Sequence, residues 1–179
     1  LPGVNILAIS KDKYGDPLVA AQRGTYRLHD GKYTRLEAAD VAVRFGARNF
    51  ATDEKGNVYG STSRGIFTLE GDSARPFPIP QFTFGKEVIN IYCGKQGTFY
   101  LTSDRNGVCR VRGSTIENFS APRHLQSDQV ISFVEDRNGN AWVGTQDGLA
   151  FIRGNEVCYL NTNEGLAGNL IYVLLQDPA

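Results

Sequence analysis

Asp12, Asp53, Gly94, Asp136 and Asp177 follow one another at spacings of 41, 41, 42 and 41 residues. Three residues after each of the first four stands a glycine: Gly15, Gly56, Gly97 and Gly139. A second glycine follows at Gly24, Gly65, Gly107 and Gly148. A chain with a fixed period folds as copies of one supersecondary unit, each burying its faces against its neighbours. A period near 40 residues, filled with short strand signals, fits one four-stranded propeller blade per repeat.

The fourth repeat shows the unit most clearly. Gln129 to Glu135 (QVISFVE) reads as a strand, and Asp136-Arg137-Asn138-Gly139 reverses the chain. An Asp side chain bonds the backbone two residues on, and glycine accepts the positive φ of a tight turn. Ala141 to Gly144, Leu149 to Ile152 and Val157 to Leu160 follow as strands, separated by Thr145 to Gly148 and Arg153 to Asn155. Such strands pair as an antiparallel meander. The first repeat places strands at 6–10, 18–21, 25–28 and 33–36. The second places them at 43–51, 58–61 and 66–69, with an exit through Pro76, Pro78 and Pro80. The third places them at 88–93, 98–101, 108–111 and 116–119, with one extra residue in the turn near Asn106. Trp142 aligns with Leu18, Tyr59 and Tyr100, a position expected to pack between blades. Leu36 to Val43 is the only tempting helix, and it is short.

The expected fold is therefore all-β: a partial or open β-propeller of four four-stranded antiparallel blades plus the first strand of a fifth. The blades fall at about 1–40, 41–81, 82–123 and 124–165, and 166–179 would begin the next. An open set of four blades leaves apolar faces exposed. A homodimer or larger assembly, or association with remaining blades of a longer parent, is the corresponding expectation.

Composition excludes several function classes. The 19 basic and 19 acidic residues balance, so the basic excess of a nucleic-acid binder is missing. No apolar run is long enough for a membrane span. Cys93, Cys109 and Cys158 are odd in number and spaced as neither a metal motif nor a disulfide framework. They read as small buried hydrophobes, with a Cys93–Cys109 bridge left open. The turns lack the closely spaced carboxylates of a calcium loop. No phosphate-binding loop, cofactor motif or catalytic constellation is present, and the two histidines, His29 and His124, belong to none.

Val130 to Thr145, with Gly148-Leu149, resembles the two-component regulator propeller repeat, which reads roughly apolar-x-x-apolar-x-E-D-x-x-G-N-x-W-I/V-G-T-x-x-G-L. Glu164 to Asn169 is similar to the joint between blades in that family, as is Leu1-Pro2-Gly3. The second repeat keeps Asp53-Glu54-Lys55-Gly56-Asn57, and the third has Gly94 where the family has Asp. The resemblance implies a ligand-sensing periplasmic propeller of a membrane-anchored hybrid two-component sensor (histidine kinase/response regulator), typical of gut Bacteroidetes. Its signal would be oligosaccharides from glycans, and its output transcription of glycan-utilisation genes. The alternatives are a structural or dimerisation module without a ligand site and, less favoured because histidines are few, a propeller lyase.

The turns between second and third strands hold Gln22-Arg23, Ser63-Arg64, Asp104-Arg105-Asn106 and Gln146-Asp147. If the blades are copies, these turns share one end of the propeller. Arg23, Arg64 and Arg105, with Asp147 in the fourth blade, then make a candidate ligand-binding arc, since guanidinium groups hold carboxylate or sulfate bidentately. The loops between blades reach the same end and carry Phe82, Phe84, Arg123 and His124. The bland reading of the arc is a set of solvated turn residues.

Overall fold

The computed structural model describes residues 5–22, 24–38, 47–62, 65–77, 88, 90–103 and 105–177. The first blade comprises β1 (Ile6–Lys11), β2 (Pro17–Ala21), β3 (Gly24–His29) and β4 (Lys32–Arg35). The short β5 (Glu37–Ala38) precedes the second blade of β6 (Asn49–Thr52), β7 (Val58–Thr62), β8 (Gly65–Glu70) and β9 (Ser73–Pro76). The third is β10 (Asn90–Cys93), β11 (Thr98–Thr102), β12 (Val108–Arg112) and β13 (Thr115–Phe119). The fourth is β14 (Val130–Glu135), β15 (Ala141–Thr145), β16 (Gly148–Arg153) and β17 (Glu156–Leu160). Each blade is a sheet in chain order, and β5 extends the second by pairing in parallel with β9. The chain divides into two compact units, residues 1–93 and 94–179.

Four sheets of short strands match the all-β blade pattern expected from the repeat. The expected strand register of the second repeat lies partly outside the described residues, as does most of the Leu36 to Val43 segment. Glu37–Ala38 within it is strand. The proline-rich exit conceals a fourth strand, β9, ending at Pro76. Proline is tolerated there because it is the last residue of β9, beyond the two residues, Ser73 and Ala74, that pair with β5.

Burial explains the sequence pattern of the second strands. β7 is buried at every position and β2 at four of five, because both faces of an inner strand are covered. In the first unit Phe67 packs with Ala20, Ala47 and Ala74. A Cβ on Gly60 would lie 2.2 Å from the Phe67 ring, so the glycine makes room for it. In the second unit Tyr100, Leu101, Val108, Val143 and Ile152 are almost wholly buried. Outer strands are open: β4 is exposed along its length, and β17 at alternate positions.

The repeating aspartate organises the first turn of a blade. Asp136 Oδ1 accepts the backbone N–H of Asn138 and of Asn140, each at 2.9 Å. Its Oδ2 accepts the Asn140 amide at 2.9 Å and the Trp142 indole N–H at 3.2 Å. Asp53 repeats this with Lys55, Asn57 and the Tyr59 hydroxyl. Asp12 accepts from the N–H of Tyr14 and Asp16, and its Oδ2 lies 2.8 Å from Arg27 Nε. The recurring large residue at Tyr59 and Trp142 is thus also a donor to the turn. Leu18 has no donor, and in the first blade the Arg27 guanidinium pairs with Asp12 by charge instead. Burial works against ionisation of Asp53 and Asp136, but their Asn, backbone and Tyr or Trp donors outweigh it and lower both pKa values.

The third blade lacks the aspartate and borrows a carboxylate. Glu135, at the end of β14, accepts the N–H of Lys95 through Oε2 at 2.6 Å and the Tyr100 hydroxyl through Oε1 at 3.3 Å. The Tyr100 contact is the one Tyr59 and Trp142 make to the aspartates of their own blades, whereas the Lys95 N–H lies one residue after position 94, not two or four as in the aspartate turns. A Cβ on Gly94 would stand 2.6 Å from Glu135 Oε2 and 2.8 Å from the Tyr100 ring. The glycine is therefore required by space, its φ of −91° being open to any residue. Tyr100 is pushed up to about 12, by burial first and then by the Glu135 charge, so it remains a donor.

Two expectations are corrected. Residues 166–177 form no strand after the 3-10 turn Thr162–Glu164. A strand needs a ladder partner, and the described residues offer none. The segment instead lies on the fourth blade: Ile171 N–H donates to Thr145 O at 3.2 Å, Ser132 Oγ to Ile171 O at 2.9 Å, and Arg137 to Asp177 O at 2.9 Å. Cys158 is exposed, not a buried hydrophobe, because it sits on outer strand β17. All three cysteines are free, which closes the Cys93–Cys109 alternative.

Two outcomes follow. Gly94→Asp should destabilise the protein by about 1–3 kcal/mol through overpacking, and adding Glu135→Ala should recover much of that loss in a denaturant double-mutant cycle. Asp53 and Asp136 have native pKa values below the unfolded 3.8. Their stabilisation is present above that pH and is lost as pH falls through the native values. Asp136→Asn should make stability flatter across that acid window, measured by urea midpoints against pH.

Candidate functional site

In an antiparallel meander the second turn of each blade and the loop to the next blade lie at the same end of the sheets. In the second unit this end carries the β11–β12 turn, the β13–β14 loop and the β15–β16 turn. The turn chemistry sets their shapes. Thr145 pairs directly with Gly148, leaving Gln146 and Asp147 at the tip. Thr145 Oγ1 donates to Gly148 O at 2.9 Å and accepts the Asp147 N–H at 3.1 Å. A Cβ on Gly148, whose φ is 128°, would lie 2.6 Å from Leu160 O. The third blade closes with Thr102 opposite Val108, a longer loop that absorbs the extra residue. There Ser103 Oγ accepts the N–H of Asn106 at 3.0 Å and of Arg105 at 3.4 Å.

Residues 120–129 sit between these turns. Asp128 Oδ1 accepts the Ala121 N–H at 2.7 Å, and Asp128 O accepts the Gly107 N–H at 3.3 Å. Leu125 is buried beneath the loop. The Tyr159 hydroxyl donates to Arg123 O at 3.2 Å, and the Gln146 N–H to Gln129 O at 3.2 Å. His124 packs edge-on against Phe119 with ring centroids 5.6 Å apart. Its Nδ1 is buried with no hydrogen bond among the described residues.

The structure thus gathers Arg105, Arg123, His124 and Asp147 on one end of the second unit. Arg105, Arg123 and Asp147 are exposed and His124 is half-buried. Arg23, Arg64, Phe82 and Phe84 lie outside the described residues, so the three-arginine arc has one described member. Sequence reading missed Asp128 and Tyr159, which hold the loop. Asp128 lies outside the 41-residue pattern, and Tyr159 acts through a hydroxyl on an outer strand, so periodicity marks neither.

The opposite end of the first unit has a cleft of about 270 Å³ between its two blades, lined by Asp12, Lys13, Tyr14, Arg27, Asn57 and Glu70 among others. His29 lies in the first unit too, exposed, with Nδ1 2.7 Å from Asp16. The hydrogen bond and charge of Asp16 raise its pKa. Among the described residues no group of three His, Cys, Asp or Glu side chains is placed to hold a metal. None of the helices described is long and apolar enough to cross a membrane.

Residues 124–147 match the family model described as two component regulator propeller. No curated protein matches the sequence. Virginiamycin B lyase from Staphylococcus aureus superposes with a TM-score of 0.69 at 13% identity, covering 89% of this chain and 56% of the lyase. The extracellular domain of a putative hybrid two component system from B. thetaiotaomicron gives 0.68 at 18% identity, covering 87% of this chain and 24% of that domain. A surface component of the type-IX secretion system of Porphyromonas gingivalis gives 0.61 at 16%, covering 87% and 28%. The chain spans about half the length of the lyase, or less of the others. At these identities the likeness establishes fold: the chain is an all-β propeller segment. Its fourth blade carries the two-component regulator propeller repeat.

Asp128→Ala should remove a carboxylate acceptor worth about 1–2 kcal/mol. Hydrogen exchange read by mass spectrometry should quicken at residues 120–129 and in the β11–β12 turn, while β14 to β16 keep their protection.

Proposed function

We propose that this chain is a ligand-sensing, non-enzymatic segment of the periplasmic propeller of a membrane-anchored hybrid two-component sensor. In this reading oligosaccharide binding on the whole ectodomain controls a histidine kinase and, through it, transcription of glycan-utilisation genes. The observation that carries the reading is the regulator-propeller match at residues 124–147. The fold shared with the extracellular domain of a putative hybrid system supports it. The lyase shares the fold equally well, and a fold hosts many functions. The sensor reading is favoured because a lyase needs convergent acid–base groups, and His29, bonded to Asp16, and His124, packed on Phe119, lie in different parts of the chain.

A second reading, a structural or assembly module, is favoured by one observation. Tyr172, Val173 and Leu175 are 70%, 68% and 87% exposed, and Ile9 on β1 is 69% exposed. Such residues suit contact with another chain or with further blades.

Calorimetry of the complete ectodomain against a panel of neutral and acidic glycan fragments tests the choice. Sensing predicts saturable heat with at least one fragment, and alanine at Arg23, Arg64 and Arg105 together should abolish it. Flat titrations throughout favour the assembly module, and unchanged affinity in the triple variant rejects the arginine arc.

A further inference from the structure

Arg27 and Arg110 occupy the same place in their blades, on the third strand opposite Leu18 and Tyr100. Each guanidinium is nearly buried, at 13% and 5% exposure. Each is held by a carboxylate of its own blade, Asp12 at 2.8 Å and Glu117 at 2.8 Å. Each then reaches forward into the following blade. Arg27 donates to Gly71 O at 2.8 Å and pairs with Asp72. Arg110 donates to Asn155 Oδ1 at 3.1 Å. Gly71-Asp72 and Gly154-Asn155 are corresponding turns, β8–β9 and β16–β17, and their glycines have φ of 60° and 59°. Donor and acceptor both recur after 83 residues.

The even blades lack the device. The position of Arg27 and Arg110 is Thr68 in the second blade and Phe151 in the fourth, opposite Tyr59 and Trp142. The Thr68 hydroxyl donates within its own blade, to Val58 O at 3.4 Å. The Phe151 ring packs on Trp142 of its own blade, centroids 4.5 Å apart. The alternation is arginine, threonine, arginine, phenylalanine.

We propose that the cooperative unit of this chain is a pair of blades, an 83-residue repeat, in which an arginine of the odd blade clamps the third turn of the even blade. A guanidinium suits the task because one planar charged group can face an internal carboxylate and a neighbouring turn at once. Its burial makes the arrangement costly to break, since loss of one partner leaves the other charge desolvated.

Native-state hydrogen exchange of the intact chain, read by mass spectrometry, tests this. Arg27→Met should lower protection at least about tenfold in β2 to β4 and in β7 to β9 together, leaving β11 to β17 unchanged. Arg110→Met should do the converse. The milder acceptor variants Asp72→Ala and Asn155→Ala, on turns away from the core, should reproduce each pattern at smaller amplitude. They decide the matter if an arginine variant fails to fold. Thr68→Ala and Phe151→Leu serve as controls, each confined to its own blade. Loss of protection limited to the arginine's own blade, or spread evenly over all four, overturns the proposal.

Discussion

A carboxylate at the first turn of each blade is the interaction on which the rest of the architecture depends. A blade is a meander of strands about five residues long, and such strands do not hold register by themselves. The turn carboxylate fixes the first hairpin by accepting two backbone N–H groups. It also ties the turn to the side chain that leads the second strand, through Tyr59 or Trp142. With that hairpin set, the second strand is committed to burial on both faces, and the small residues facing Phe67 follow from it.

The third blade shows that the constraint is chemical rather than positional. With glycine at position 94, the carboxylate arrives from Glu135 of the next blade and meets the aligned tyrosine hydroxyl and a neighbouring turn N–H, that of Lys95. What each copy maintains is a carboxylate acceptor at the first turn. That substitution joins the third and fourth blades by a bond that the other copies make internally. The Lys95 side chain adds a second link by donating to Arg137 O.

Much of the fold was legible because its signals are periodic. The spacing of Asp and Gly located the turns, and apolar alternation located most strands to within one or two residues. What escaped was aperiodic or long-range. β9 was hidden by the prolines that follow its start, the first of which, Pro76, ends the strand. Glu135 reads as an ordinary strand-end acid until Gly94 is seen beside it in space. The segment 166–177 copies the start of a blade in sequence, but a ladder requires a partner as well as a pattern. Of the candidate site, topology alone placed Arg105, Arg123, His124 and Asp147 at one end. The contacts that hold their loop, from Asp128 and Tyr159, follow no repeat.

Amide exchange by NMR on the intact chain tests the turn account most directly. The N–H groups of Tyr14, Asp16, Lys55, Asn57, Asn138 and Asn140 lie in exposed turns yet should exchange slowly, because each donates to a carboxylate. The Lys95 amide should be protected alongside them, through Glu135. A Lys95 amide exchanging at the rate of an open loop, while the other turns stay protected, would contradict the borrowed carboxylate. Fast exchange in all four turns would contradict the organising role of the carboxylate itself.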